Sequence, residues 1–240
     1  MFRHQGKTRT LSHNLRIASL LSFVAGIVNV AGFLAVQKLT TNVTGHFAFF
    51  VDELFKLHFW EGFIFFLYIF FFFLGSFVSS FLVELISQKT ERNIYVFPTS
   101  IEIVLLFSIG ILDGDLISGN ENIIACCLLF AMGLQNSLVT KISNATVRTT
   151  HLTGLFTDLG IELSQLFFVK KAEMKSKLYA SITLRLIIIS FFFIGGILGG
   201  IFYAKLKLKV LFIAGIALIL GLIYDNIKLK IIKLNRKYHH

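Results

Sequence analysis

Apolar residues in this chain come in long runs with few charges, not in the spaced rows of a helix resting on a water-soluble core. Such runs fill residues 15–36, 62–86, 94–112, 123–139, 180–203 and 210–224. A helix rises about 1.5 Å per residue and satisfies its own backbone polar groups, so about 20 apolar residues carry it across a hydrocarbon layer. The pattern predicts an all-α membrane protein with six transmembrane helices. Two further apolar segments, 43–58 and 152–169, carry Asp52, Glu53 and Lys56 in the first and Asp158 and Glu162 in the second. A charge at mid-bilayer costs about 2.5–3.5 kcal/mol on insertion scales, which predicts re-entrant or interfacial segments in place of two more crossings.

Composition removes the soluble alternative, since 55% of the 240 residues are hydrophobic and 28 are Phe. The net charge of +10 raises nucleic acid as a partner, but the basic residues are distributed by loop and form no single basic domain, so no nucleic acid is expected. Arg3, Lys7, Arg9 and Arg16 lie at the first run, Lys89 and Arg92 follow the second, and Lys141, Arg148, Lys170, Lys171, Lys175 and Lys177 lie between the fourth and fifth. The connector 113–122 holds Asp113, Asp115 and Glu121 and no Lys or Arg. The positive-inside bias then places both termini in the cytoplasm, makes 225–240 a basic cytoplasmic tail, and puts the acidic connector outside. Lys205, Lys207 and Lys209 run against this topology, which leaves their short hairpin outside. The apolar run behind the basic start is too long for a cleaved signal peptide and has no small-residue cleavage site. Cys126 and Cys127 are adjacent within a run, without metal-ligand spacing, and are expected as apolar filler.

The chain also aligns with itself. Residues 40–54 and 149–163 share seven identities in fifteen positions: Thr40/Thr149, Thr41/Thr150, Thr44/Thr153, Gly45/Gly154, Phe47/Phe156, Glu53/Glu162 and Leu54/Leu163. Phe23, Gly26 and Asn29 fall over Phe130, Gly133 and Asn136, and the run Phe71 to Gly75 falls over Phe191 to Gly195. Apolar composition alone does not yield matched Thr, Gly and Glu. Within one membrane domain, 1–240, the expected plan is a first repeat 15–112 and a second repeat 123–224, each with three transmembrane helices and a Thr/Gly segment. Three crossings between equivalent points invert the second repeat, an arrangement that transporters use to form mid-membrane sites. Full crossing by the Thr/Gly segments would instead give parallel repeats, with the acidic connector inside. Small residues four apart, Gly75/Ser79 in one half and Gly195/Gly199 and Gly196/Gly200 in the other, predict a close helix-packing face.

The Thr/Gly segments are where chemistry is expected. Gly45 and Gly154 permit a break, and the surrounding Thr and Asn side chains can cap a following half-helix whose amide groups favour an anionic or polar solute. The first half offers Asn29, Thr40, Thr41, Asn42, Thr44 and His46 to such a site. The second offers Asn136, Thr149, Thr150, His151, Thr153 and Asp158. Asn29 and Asn136 serve equally well as interhelical hydrogen-bonding groups. Asp158 and Glu162 share one helix face, either as a proton or cation relay or as the wet face of an interfacial helix. His46 and His151 are not aligned with each other, and two histidines make no metal site. Glu102 is expected near a helix end, snorkelling or paired with Arg92, behind Pro98, which loosens the helix; Arg185 is expected to snorkel. No hydrolase, zincin or phosphate-loop motif is present, so neither an enzyme nor a cofactor is expected.

The run Val24-Ala-Gly-Ile-Val-Asn-Val-Ala-Gly-Phe33 with Asn42-Val-Thr-Gly45, and Gly133-Leu-Gln-Asn136 with the Thr149 to Gly160 stretch, resemble the YoaK-type family of bacterial membrane proteins, a domain of unknown function. The resemblance covers nearly the whole chain and implies a multi-pass protein of the bacterial inner membrane. In that pattern Asp is common where Asn29 stands and Asn where His46 stands, so any ion coupling by the Asp is lost here. A small-solute transporter or permeation protein is the leading expectation, with lipid bilayer and a small polar or anionic solute as partners. A membrane scaffold that docks a partner or lipid stands second, and an intramembrane enzyme is remote.

Overall fold

A computed structural model describes residues 10–88, 94–112 and 114–238, and among them every regular element is helical. Arg3, Lys7, Arg9, Lys89, Arg92 and Asp113 lie outside the described residues. The helices are α1 (Leu11–Val36), α2 (Thr44–Phe55), α3 (Phe59–Ser87), α4 (Val96–Gly110), α5 (Gly114–Ile117), α6 (Glu121–Ile142), α7 (Leu152–Gln165), α8 (Ala172–Leu206) and α9 (Leu211–Tyr238). Four helical stretches are long and apolar enough to cross a membrane: Leu11–Val36, Phe59–Ser87, Glu121–Ile142 and Ala172–Asp225. The last contains α8, a 3₁₀ turn Lys207–Val210 and the apolar part of α9. The Thr/Gly helices have 12 and 14 residues, and at about 1.5 Å per residue neither reaches across a layer of about 30 Å.

Two helix pairs hold the bundle, α1 on α8 and α3 on α6. Both crossings are glycine contacts with backbone. A Cβ at Gly75 would collide with the Phe130 carbonyl, and one at Gly133 with the Phe72 carbonyl. In the other pair, Gly195 abuts the Phe23 carbonyl and Gly26 the Phe192 carbonyl. Where lipid is as apolar as Leu, helices associate by such close backbone approach, which only the smallest residue permits. Gly199 continues the seam, its Cβ position 3.1 Å from the Ile27 Cα, while Gly196 and Gly200 face Val30 at 3.1 and 3.4 Å. Ser79 is fully buried along the α3 face.

The remaining helices pack around these pairs: α2 lies along α3, α7 along α8, and α4 against α9, α6 and the 3₁₀ turn. Phe107 and Phe212 join α4 to α9 with ring centroids 5.2 Å apart. Two expectations for α4 fail. Pro98 stands in its first turn, where a missing N–H breaks no helical hydrogen bond, so it starts the helix and does not loosen it. Glu102 does not snorkel: it is buried, and among the described residues its Oε1 has no hydrogen-bond partner, while its expected partner Arg92 lies outside them.

Candidate functional site

The loop after α1 turns back into the protein at Gln37, whose left-handed backbone (φ 54°) closes the helix with an N–H to Phe33 O bond of 2.8 Å. Thr40 then donates to the Val28 carbonyl (3.2 Å) and Thr41 to Asn29 Oδ1 (2.7 Å). After α6 the chain turns through Asn144 and Ala145, both at positive φ. There Thr149 and Thr150 both donate to Asn136 Oδ1, at 3.2 and 3.1 Å, and Gln135 Nε2 donates to Thr149 at 3.3 Å and to the Leu21 carbonyl at 3.1 Å. Each threonine pair thus ties its loop to the preceding helix, the first through Asn29 and the Val28 carbonyl and the second through Asn136. The loops are held within the protein because their polar groups are paired there.

Both loops end at one cavity of about 540 Å³. Asn29, Thr41, Asn42, Val43, Thr44 and Phe72 line it from the first half of the chain, and Thr150, His151, Leu152, Thr153, Gly154 and Phe192 from the second. Helices α2 and α7 begin on its wall, and neither start is capped by a side chain. Amide groups of a first helical turn have no partner within the helix, so the cavity wall combines N–H donors with threonine hydroxyls and two asparagines. Such a surface can hold a small polar or anionic group between two phenylalanine faces.

Other expected site residues lie elsewhere. Thr40 and Thr149 are fully buried and serve the loop anchors. Asn136 borders a separate cavity of about 370 Å³ with Ser76, Ser80 and Lys141. His46 does not reach the central cavity: it is buried, with Nε2 2.5 Å from the Leu39 carbonyl and its ring 4.8 Å from that of Tyr68. Gly45 packs on Leu39. Asp158 lines a third cavity, about 330 Å³, with Arg148 and Arg185. His151 borders all three.

Arg185 does not snorkel. Its Nε and Nη2 donate to the two Glu162 oxygens at 2.8 Å each, and its Nη1 lies 3.0 Å from Asp158. Ser181 adds a 2.6 Å bond to Glu162. Burial pushes the Glu162 pKa up, but the hydrogen bonds from Arg185 and Ser181 outweigh it and hold the carboxyl below the ordinary range. Both acids are therefore ion-paired with Arg185, Asp158 with its side chain half exposed and Glu162 with its side chain only 13% exposed. Phe72 and Phe192 carried a sequence signal, since both fall in the Phe-Phe-Phe run before an aligned glycine. The pairing of Arg185 with residues 23 and 27 positions earlier carried none. Among the described residues, no group of three or more His, Cys, Asp or Glu could hold a metal ion.

These features define a helical membrane protein with a cavity of mixed polar and apolar lining where two Thr/Gly segments meet. Over residues 17–224 the chain matches the family described as Protein of unknown function (DUF1275), and it belongs to that family. No curated protein and no solved structure matches it.

Proposed function

We propose that this chain is a small-solute transporter or permeation protein built from two inverted repeats of three crossings, with its solute site in the 540 Å³ cavity. The observation that carries the reading is the convergence of both Thr/Gly segments on that one space, each half of the chain contributing six of its twelve lining residues. The reciprocal glycine crossings support the duplication, because Gly26/Gly133 and Gly75/Gly195 exchange roles between the two helix pairs. Counting α4, and separating α8 from α9, gives six crossings. With the termini in the cytoplasm, α2 and α7 enter from opposite faces of a bacterial inner membrane and point their amino ends at each other. The solute is small and polar, and the two uncapped helix starts favour an anionic group.

Single cysteines at Thr44 and Thr153, both exposed on the cavity wall, in a background lacking Cys126 and Cys127, test this reading. Both are expected to react with membrane-impermeant thiol reagents, and a ligand found by thermal-shift screening of solute classes is expected to change that reactivity. Sealed positions, indifferent to every solute that stabilises the protein, would identify a scaffold instead.

A further inference from the structure

The three lysines that oppose the charge topology line one cavity. Lys205, Lys207 and Lys209 enclose, with Tyr203, Leu206 and Ile117, a space of about 480 Å³ that also reaches Ala35, Leu112 and Gly114. These residues sit at or beside the ends of α1, α4 and α8, where a bundle in a bilayer meets the headgroup layer. Leu208 and Val210 are fully buried and anchor the turn between α8 and α9, so the alternating lysines are held on one rim. Three ammonium groups in five residues repel one another, yet among the described residues none forms an ion pair; Lys207 Nζ instead lies 5.5 Å from the Tyr203 ring centroid. Glu121, on the facing connector, accepts from the Gly119 amide at 3.1 Å. Lys207 also adopts φ 51°, ψ −137°, a backbone state natural to glycine and costly for a lysine. Among the described residues, three lysines without an ion pair and one strained lysine backbone thus gather at a single cavity.

We propose that this cavity binds the phosphate headgroup of an anionic membrane lipid, with the three lysines on the phosphate and Leu206 and Ile117 beside the acyl chains. Basic pockets between helices at the membrane surface recognise phospholipid headgroups in this way, and compact ammonium groups serve as phosphate-binding point charges. The assignment is independent of the solute reading, since the lysine cavity shares no residue with the central one.

The full chain, purified in a neutral detergent, would be titrated with phosphatidylglycerol, phosphatidylcholine or inorganic phosphate while its melting temperature is followed. Phosphatidylglycerol is expected to raise the melting temperature at concentrations where the other two do nothing. The K205A/K207G/K209A variant is expected to bind phosphatidylglycerol about a hundredfold more weakly. K207G alone suits the backbone and is expected to melt no lower than the parent without lipid, while binding lipid about fivefold more weakly. Equal stabilisation by phosphatidylcholine or by inorganic phosphate would overturn the lipid assignment. So would unchanged phosphatidylglycerol binding by K207G.

Discussion

Residues 49 and 158 occupy the same place in the two aligned Thr/Gly segments, yet one is Phe49 and the other Asp158. The helix facing each has diverged to match: Phe65 and Arg185 coincide in the register that pairs Gly75 with Gly195. Phe49 stacks on Phe65 with ring centroids 5.2 Å apart, whereas Arg185 lies 3.0 Å from Asp158. The aligned acids part ways too, Glu53 bonding to the exposed His58 at 2.9 Å and Glu162 to Arg185 and Ser181 beneath α8. Glycine persists in both halves where backbone touches backbone, because no other residue fits. Side-chain partners have been exchanged wholesale, which leaves an aromatic seal around α2 and a charged, cavity-lined flank along α7.

The largest expected effect tests the shared part of that comparison. Gly75→Val and Gly195→Val each push a side chain into a backbone carbonyl that no rotamer can move aside. Each should cost about 3 kcal/mol or more, at the upper end of overpacking effects, and be seen as lost yield or a sharply lowered melting temperature in detergent. Gly200→Ala, which meets Val30 at an ordinary 3.4 Å, should cost less than about 1 kcal/mol. If one of the two valine variants is tolerated, the crossings are not equivalent.

The second effect tests the divergent part. Arg185→Ala leaves Glu162, only 13% exposed in its side chain, without its bidentate partner and should cost about 2 kcal/mol. Glu53→Ala removes contacts to exposed partners and should cost less than about 1 kcal/mol by the same thermal assay. The Glu162 pKa is lowered on folding, so its contribution is present above the ordinary carboxylate pKa of about 4.3 and is lost as pH falls through the lower folded value. The melting temperature of the parent should therefore drop in acid, with a smaller drop in Arg185→Ala. Equal acid profiles would mean that the ion pair adds nothing to stability.

Hydropathy sees the membrane-compatible helices well and their ends poorly. Helix α8 begins at Ala172, eight residues before the apolar run at 180, because a polar first stretch is stitched by the Lys177 to Glu173 pair at 2.6 Å. In the Thr/Gly segments the composition of the cavity wall was legible from the doubled motif, but the direction of each side chain was not. Thr40 and Thr41 are neighbours and both anchor the loop, but only Thr41 also lines the cavity. His46 looked like a site residue by position and is instead packed between the Leu39 carbonyl and two aromatic rings. Arg185 could not be assigned a partner from spacing, since its contacts depend on how α7 lies on α8.

The asparagine anchors offer a finer contrast. Asn136 accepts from two threonines and Asn29 from one, so Asn136→Ala should destabilise by about 1–2 kcal/mol and Asn29→Ala by about half as much. The order would be reversed if Gln135, which also reaches Thr149, holds the second loop without help.

The smallest effect separates the fold from the cavity. Gly45 and Gly154 are aligned, but a Cβ at Gly45 would press on the movable tip of Leu39, while one at Gly154 meets nothing within 4 Å. Gly154 lies in the first turn of α7 and has an ordinary negative φ, so alanine there should be neutral or stabilise by up to about 1 kcal/mol through helix propensity. Nothing in the fold then requires glycine at 154, whereas the walls of two cavities do include it. Gly154→Ala should leave the melting temperature of the empty protein level or raised, and should weaken the shift produced by any solute that fills the central cavity. An unaltered solute shift would move the binding surface away from the start of α7 and onto the Asn29 and Thr41 wall.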